Sequence, residues 1–336
     1  MLRFLTSGES HGSCLVAILE GMVSGLKVNK AAIDHELKRR QCGYGRGGRM
    51  SIEKDTVEIL SGLRQGVTLG SPIALRVNNR DFKIDELPVI KRPRPGHADL
   101  PGALKYDRRD IRDILERSSA RETASRVAVG GVCRQFLQEL GVEILSHVTE
   151  IGGVKAPVTR KSFEIIRRDA EKSQVRCQDA EASKRMVQKI EAIKRAKDTV
   201  GGIFEIRIKG VLSGIGRPTT WEKALAARLT FGLASIQAVK AVEIESGIEG
   251  GASDGRLIVI RAAMKPIATL MQPLRTVDID SKKPALATVE RSDVTAVPAC
   301  GVVGEAMAAF QLANCYLEKF GGDSLKEVRR NLLKAQ

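Results

Sequence analysis

Arg94-Pro95-Gly96-His97-Ala98-Asp99-Leu100 (residues 94–100) and Arg117-Ser118-Ser119-Ala120-Arg121-Glu122-Thr123 (residues 117–123) are the two stretches from which this sequence is best interpreted. The Pro-Gly pair favours a turn that presents the imidazole of His97. Ser118 or Ser119 suits the N-cap of a helix predicted over 121–140. Hydroxyls and guanidiniums at a helix N-terminus favour binding of a phosphate or another anion. Taken singly, each stretch fits equally well a capped helix with a solvated basic face and a turn histidine.

Strands and helices are mixed along the rest of the chain without strict alternation, which argues against a doubly wound sheet or a barrel. No linker divides the sequence, so we expect one large domain, residues 1–336, of the α+β class. A charged segment over 159–197 is expected to be a peripheral, mostly helical excursion. Hydrophobic spacing predicts strands over 2–6, 15–19, 57–60, 73–77, 142–145, 203–208 and 257–262, and helices over 30–40, 121–140, 225–240 and 303–320.

The composition indicates an anionic partner. Fifty-five Lys and Arg residues against forty Asp and Glu give a formal net charge of +15. Such a surplus suits nucleic acid, acidic lipid or phosphorylated small molecules. Aromatic residues make up only 4% of the chain, which leaves little material for stacking on bases. We therefore favour phosphorylated small molecules and expect no nucleic-acid partner.

Other sequence features bear on compartment and cofactor class. No apolar run approaches the roughly 18 residues of a membrane span, and the N-terminus lacks the apolar core of a signal peptide. The six cysteines show no CxxC spacing, which argues against a zinc site and a disulfide framework. We expect a cytoplasmic protein with no bound metal and no membrane partner.

A short glycine-bracketed loop, Gly8-Glu9-Ser10-His11-Gly12, follows the first predicted strand. Its histidine has an unperturbed pKa close to neutrality, so it suits acid catalysis, although a structural loop histidine fits the sequence as well. A GxSxG motif is absent from the chain, so Ser10 is not expected to be a hydrolase nucleophile.

A second glycine-rich segment, residues 43–48, matches GxGxxG literally. A dinucleotide fingerprint follows a strand and opens a helix, whereas this segment follows a basic helix. We therefore interpret it as a loop that presents Arg40, Arg46 and Arg49 to anions, the alternative being a mobile charged loop.

Taken together, these strings resemble the chorismate synthase family over essentially the whole chain. The matching strings are 8–12, 94–99 and 117–123, supported by 39–46, Ser235-Ile236-Gln237-Ala238-Val239-Lys240 and Lys265-Pro266. The resemblance implies a β-α-β sandwich fold in which sheets pack on helices, and a homotetramer.

The family's activity is a lyase reaction that closes the shikimate pathway. The resemblance implies that 5-enolpyruvylshikimate 3-phosphate is converted to chorismate and phosphate by 1,4-anti elimination, with reduced FMN and no net redox change. Some members oxidise NADPH to reduce their own flavin and others do not, and the sequence leaves this open. A nucleic-acid-binding protein and a flavin reductase are the alternatives from other functional classes.

The resemblance also assigns roles to residues. His11 would give a proton to the departing phosphate, His97 would lie beside the flavin ring, and Asp293 would lie near flavin N5. Arg40 and Arg46 match positions that bind NADP or the substrate. The remaining matches are FMN contacts: Arg117, Ser118, Ser119, Gln237, Ala238, Gly250, Lys265, Pro266, Ile267, Ala268, Thr269 and Arg291.

Three segments depart from the family pattern. The connectors over 81–94 and 245–250 are shorter than we expect, and genuine deletions there would put closure over the flavin in doubt. A measured mass of 36.5 kDa would show that the natural protein lacks the additional residues that longer connectors would contain. The run Lys265-Pro266-Ile267-Ala268-Thr269 keeps one hydroxyl where the family often has several, which would weaken contacts to the FMN phosphate.

Overall fold

Two antiparallel sheets enclose a layer of helices in the computed structural model, which describes residues 1–48, 52–158, 160–290 and 292–335. The strands, in chain order, are β1 (Arg3–Ser7), β2 (Cys14–Glu20), β3 (Val57–Ile59), β4 (Leu63–Arg64), β5 (Val67–Thr68), β6 (Ile73–Asn78), β7 (Glu143–Ile151), β8 (Val154–Lys155), β9 (Gly202–Lys209), β10 (Val239–Ser246), β11 (Ile248–Glu249), β12 (Ala252–Ser253), β13 (Ile258–Met264), β14 (Arg275–Val277) and β15 (Pro284–Leu286).

Helices pack between the sheets and around them. They are α1 (Lys30–Gln41), α2 (Asp99–Lys105), α3 (Arg112–Ser118), α4 (Thr123–Gln138), α5 (Phe163–Lys172), α6 (Ala180–Arg195), α7 (Leu225–Ala234), α8 (Val297–Phe320) and α9 (Leu325–Lys334). Short 3₁₀ turns cover Ile84–Glu86, Ala120–Glu122 and Trp221–Lys223.

The first sheet has four strands in the order β1-β2-β6-β3, and the second has five in the order β10-β13-β9-β7-β8. Alternation along the strands sends one set of side chains inward. Leu15, Ala17 and Leu19 of β2 are buried, as are Phe204 and Ile206 of β9. Because the side-chain period of a strand is two, each sheet turns one apolar face toward the helices.

Helices α4 and α8 form the middle of the sandwich, and α4 also packs on β2 whereas α8 packs on β7 and β9. Small residues allow this close packing. A Cβ added to Gly130 of α4 would lie 2.3 Å from the Cβ of Ala306 in α8. A Cβ added to Gly304 would lie 2.9 Å from side chains of Phe204 and Ile206. Any larger residue at these glycines would therefore force the layers apart.

The predicted α+β class and the sheet–helix–sheet layering are confirmed, but several predicted boundaries were wrong. The helix predicted over 225–240 ends at Ala234, because Ala238 adopts a φ of 71° that a helix cannot continue, and Lys240 lies in β10. The helix predicted over 303–320 begins earlier, at Val297, with Pro298 in its first turn. The sequence also predicts a strand-like segment over 50–52, which falls largely outside the described residues.

The segment over 159–197 forms two helices, α5 and α6, and its charges are not all solvated. Glu171 and Arg176 belong to a buried network around Glu305 of α8. Glu305 accepts hydrogen bonds from Arg39 at 2.9 Å and from Arg134 at 2.6 Å. This one carboxylate therefore ties α1, α4 and the α5–α6 connection to α8.

Within the described ranges, no helix is both long enough and apolar enough to cross a membrane.

Candidate active site

The guanidinium groups of Arg40 and Arg121 lie together at the C-terminal end of α1. Arg40 is 3% exposed and donates to Thr123 Oγ1 at 2.9 Å, to the carbonyl of Ala120 at 3.0 Å and to Asp55 at 3.3 Å. Arg121 donates to both carboxylate oxygens of Asp55 at 2.7 Å. Arg40 is therefore held by internal partners, and its positive charge lies beneath the protein surface.

The charged groups of this cluster lie close enough to change the pKa of Arg40. Burial lowers the pKa of Arg40 to about 10, with Arg121 and Arg46 lowering it further and Asp55 and Asp293 opposing them. Arg46 forms an ion pair with Asp293 at 3.3 Å, and the backbone N–H of Gly47 donates to Asp293 at 2.6 Å. The structure therefore brings the candidate residues Arg40, Arg46 and Asp293 into one neighbourhood. Arg49 lies outside the described residues.

Asn79 connects this cluster to the loop that carries His11. Its amide accepts a hydrogen bond from Arg121 at 2.8 Å and donates to the carbonyls of Glu9 at 3.1 Å and Gly12 at 2.7 Å. One side chain thus fixes both ends of the histidine loop against the guanidinium pair.

His11 itself lies against Glu116, the residue that precedes the predicted arginine–serine string. Its Nδ1 is 3.0 Å from both carboxylate oxygens, and its backbone N–H donates to the same carboxylate at 2.8 Å. Burial would raise the pKa of Glu116, but the hydrogen bonds from His11 and the charge of Arg112 outweigh it and hold that pKa below its ordinary value. Glu116 is therefore a carboxylate at neutral pH.

The predicted FMN residues over 117–119 border the same loop. Arg117 is exposed and donates to the carbonyl oxygens of Thr6 at 2.8 Å and Gly8 at 3.2 Å. Ser119 accepts from the backbone N–H of Arg121, so it caps the 3₁₀ turn rather than α4 directly. Ser118 is not a cap, because its hydroxyl donates to the carbonyl of Ile114.

His97 occupies the turn predicted for it and is held by two neighbours. Its Nδ1 lies 2.5 Å from Asp99, and Arg94 donates to the same carboxylate at 2.8 Å and 2.9 Å. Hydrogen bonds from Arg94 and His97 hold the pKa of Asp99 well below its ordinary range despite burial, which alone would raise it. Arg94 also donates to Thr269 at 2.7 Å, which joins this turn to the predicted FMN run.

The run over 265–269 lies between the His97 turn and the 117–123 string. The ammonium of Lys265 donates to the carbonyl of Gly96, and its backbone N–H donates to the carbonyl of Ala238 at 2.9 Å. Gln237 then donates to Glu122 at 3.3 Å. Within the run, Pro266 is exposed, whereas Ile267 and Ala268 are half-buried.

Within the described residues, no hydrogen bond links Gly250 to this group. Gly250 is exposed in the β11–β12 turn, and the eight residues of β10 separate it from Ala238. Arg291 lies outside the described residues. A shallow depression of about 620 Å³ lies elsewhere, between Ser24 and α9, and none of the candidate residues lines it.

Sequence reasoning missed several residues of the site. Asp99 stands two residues after His97, which was a usable signal. Glu116 stands beside the 117–123 string but is 105 residues from His11, so its role was not visible in the sequence. Asp55 and Asn79 lie in segments with no motif, so only folding reveals them.

Comparison with known proteins was consistent across sequence and structure. A family model described as chorismate synthase matches residues 2–249 and 244–317. Chorismate synthase of Desulforamulus reducens is 49% identical over 378 residues, covering 99% of this chain and 97% of that protein. Chorismate synthase of Geobacter sulfurreducens is 49% identical over 382 residues, covering 98% and 97%. A crystal structure of chorismate synthase superposes with a TM-score of 0.81 at 37% identity, covering 99% of this chain and 97% of that one.

The alignments also bear on the short connectors. The alignment with the Desulforamulus reducens protein spans 378 positions although this chain has 336 residues. At least 42 of those positions therefore have no counterpart in this chain. The family model matches in two pieces that overlap over 244–249, which places one missing stretch at the junction of β10 and β11. There the chain passes from Ser246 to Ile248 through Gly247 alone, with a φ of 83°.

Proposed function

The chain belongs to the chorismate synthase family, and we propose that it converts 5-enolpyruvylshikimate 3-phosphate to chorismate and phosphate by 1,4-anti elimination. The observation that supports this most is that the His11 loop and the His97 turn both connect to residues 116–122. The loop of His11 contacts Glu116 and Ser119 directly, and the turn of His97 reaches Glu122 through Lys265 and Gln237.

The departing phosphate needs a proton and a positive environment. His11 is the candidate proton donor, because its ring is held by Glu116 and is partly exposed at 13%. Arg117 is exposed beside the same loop, and Arg40 and Arg121 add positive charge behind it. Guanidinium groups suit this task because they present fixed pairs of donors to phosphate and carboxylate oxygens.

Two lysines support the proposal that a flavin phosphate binds beside the run over 265–269. The charge of Lys240 acts on Lys265, and within the described part of the chain no ion pair joins either lysine to a carboxylate. Burial and the charge of Lys240 hold the pKa of Lys265 below its ordinary value. A phosphomonoester would relieve that repulsion, so the residues fit the anionic end of FMN. When bound, reduced FMN would supply an electron-rich ring beside the substrate.

Two further residues would contact the cofactor and substrate region. His97, partly exposed at 22% and fixed by Asp99, would steady negative charge beside the flavin ring. Asp293, held by Arg46 and Gly47, would accept a proton near flavin N5. We also propose cytoplasmic location and a homotetramer of four 36.5 kDa chains, which light scattering would measure.

The test is an anaerobic assay with chemically reduced FMN and 5-enolpyruvylshikimate 3-phosphate, in which chorismate is followed by its absorbance. We expect chorismate and phosphate in equal amounts. A folded preparation that binds both ligands and forms no chorismate would remove the proposal. A parallel reaction with NADPH and oxidised FMN shows whether the protein reduces its own flavin.

A further inference from the structure

The carboxylate of Glu116 makes three contacts to a single residue, His11. Both oxygens lie 3.0 Å from Nδ1, and one accepts the backbone N–H of His11 at 2.8 Å. The backbone carbonyl of Glu116 also accepts from the N–H of Ser10 at 2.9 Å. The Glu116 side chain is only 1% exposed, so little of this geometry depends on solvent.

The groups around this pair come from several elements. Asp81 lies 3.7 Å from Nε2 of His11, and Lys83 forms an ion pair with Asp81 at 3.0 Å. Arg112 lies 3.5 Å from Glu116 and also pairs with Glu290 at 2.9 Å. The imidazole therefore has a carboxylate on each side, and each carboxylate has a cation behind it.

A neutral imidazole carries its proton on one nitrogen, and the partner of that nitrogen decides which. A carboxylate can only accept. Both oxygens of Glu116 lie within hydrogen-bond distance of Nδ1 at 3.0 Å, whereas Asp81 is 3.7 Å from Nε2, so the proton is favoured on Nδ1. Nε2 then becomes the nitrogen that gains and loses the mobile proton.

We propose that Glu116 is a positioning residue for His11, which fixes its Nδ1–H tautomer and directs Nε2 to the phosphate of the substrate. This rests on the proposed function. As the carbon–oxygen bond breaks, its electron pair leaves with phosphate, and the Nε2 proton passes to a phosphate oxygen. The ring C–H bond that is lost gives its proton to the base, the role proposed for Asp293. Its electron pair forms a new ring double bond, and the existing ring double bond shifts to the carbon that loses phosphate. His11 is then neutral and regains its proton from solvent.

The first measurement requires no turnover. The chain has four histidines, so labelling with ¹⁵N-histidine gives few ring signals, and a His11→Gln variant assigns those of His11. We expect neutral His11 to carry its proton on Nδ1 in the wild-type protein and to lose this preference in Glu116→Gln. A proton on Nε2 in the neutral wild-type ring would overturn the proposal even if the variant failed to fold.

The second measurement is the steady-state kinetics of chorismate formation. Glu116→Gln keeps the size of the side chain but removes its charge. We expect kcat to fall about 100-fold at pH 7 with KM nearly unchanged, because the ring of His11 is no longer held in the reactive tautomer. A folded variant with the wild-type kcat would refute the positioning role.

A matched control lies on the same helix. Asp113 of α3 forms an ion pair with Arg108 in which the two side chains are 37% and 56% exposed. Asp113→Asn should keep the wild-type kcat and the wild-type tautomer of His11, because this carboxylate does not contact the histidine loop. Wild-type protein that makes no chorismate would contradict the proposed function alone, since the tautomer measurement judges Glu116 independently.

Discussion

Arg40 and Arg121 share the carboxylate of Asp55, which lies 3.3 Å from the first and 2.7 Å from the second. All three side chains are at most 4% exposed. Asp55 is thus the counter-ion that allows two guanidiniums to lie together beside the candidate active site. Without it, two buried positive charges would face each other with reduced compensation.

Replacing Asp55 by Asn should therefore destabilise the protein strongly. We expect the free energy of unfolding to fall by about 3–5 kcal/mol, because one partner of a buried ionic cluster is removed. Urea denaturation followed by circular dichroism measures this. Glu58→Gln is the control, since Glu58 pairs with Arg76 on the exposed face of the first sheet, and its effect should stay below about 1 kcal/mol. Equal effects of the two substitutions would contradict the role of Asp55.

The origin of this pair shows where sequence reasoning stops. The arginines were visible because they stand in recognisable strings, whereas Asp55 is 66 residues from Arg121 and belongs to no pattern. Its role depends on how α1 and the β6 region pack, and that is set by the whole core. Motifs therefore predicted the arginines of the site better than the carboxylate that neutralises them.

The second sheet offers a pH-dependent prediction. Glu205 of β9 lies 3.1 Å from Nε2 of His147 and pairs with Arg207 at 2.7 Å and Arg261 at 3.1 Å. Burial opposes ionisation, but these hydrogen bonds and charges lower the pKa of Glu205 to about 2. The alternating sequence over 203–208 predicts a strand with one face exposed to solvent, yet Glu205 is buried.

Because the folded pKa of Glu205 is lowered, its contribution to stability is complete above its unfolded pKa of about 4.5. That contribution is lost as the pH falls from about 4.5 to about 2. Glu205→Gln should therefore lose up to about 3 kcal/mol at pH 7 and show a flatter acid limb. Unfolding free energies at pH 7 and pH 3 measure the difference, and the exposed Glu249→Gln is the control. If the free energy of unfolding fell equally between pH 7 and pH 3 in the variant and the wild-type protein, groups other than Glu205 would cause the acid sensitivity.

The two candidate catalytic histidines can be tested against a third. His11→Ala and His97→Ala should each lower kcat by roughly 10²–10⁴-fold, because each removes a group that would transfer or govern a proton. His35→Ala is the matched control, since His35 lies on the exposed side of α1 with 66% of its side chain accessible. Turnover equal to that of the control in either variant would return that histidine to a structural role.

Lys240 illustrates a residue whose importance is visible only in the fold. The sequence predicted it at the end of a helix, but Val239 pairs with Met264 and Ala241 with Ala263, so Lys240 is the extra residue of a β-bulge. Bulges often redirect a side chain near a functional site. Ala238, two residues earlier, has a positive φ, and Lys265 follows Met264 on the partner strand. These two irregularities explain why helical spacing failed here, and the register places Lys240 and Lys265 at the same end of the β10–β13 pair.

From this geometry we expect both lysines to bind the phosphate end of FMN. Lys240→Ala and Lys265→Ala should each raise the Kd for FMN about tenfold at low salt, which corresponds to about 1.4 kcal/mol. The loss should shrink as ionic strength rises, because the contact is electrostatic. Quenching of flavin fluorescence gives the Kd, and riboflavin, which has no phosphate, should bind wild type and variants alike. Lys155→Ala, on the exposed edge strand β8, is the control. Equal losses for riboflavin and FMN would show that the lysines support the ring or the fold, and the phosphate would then have to lie elsewhere.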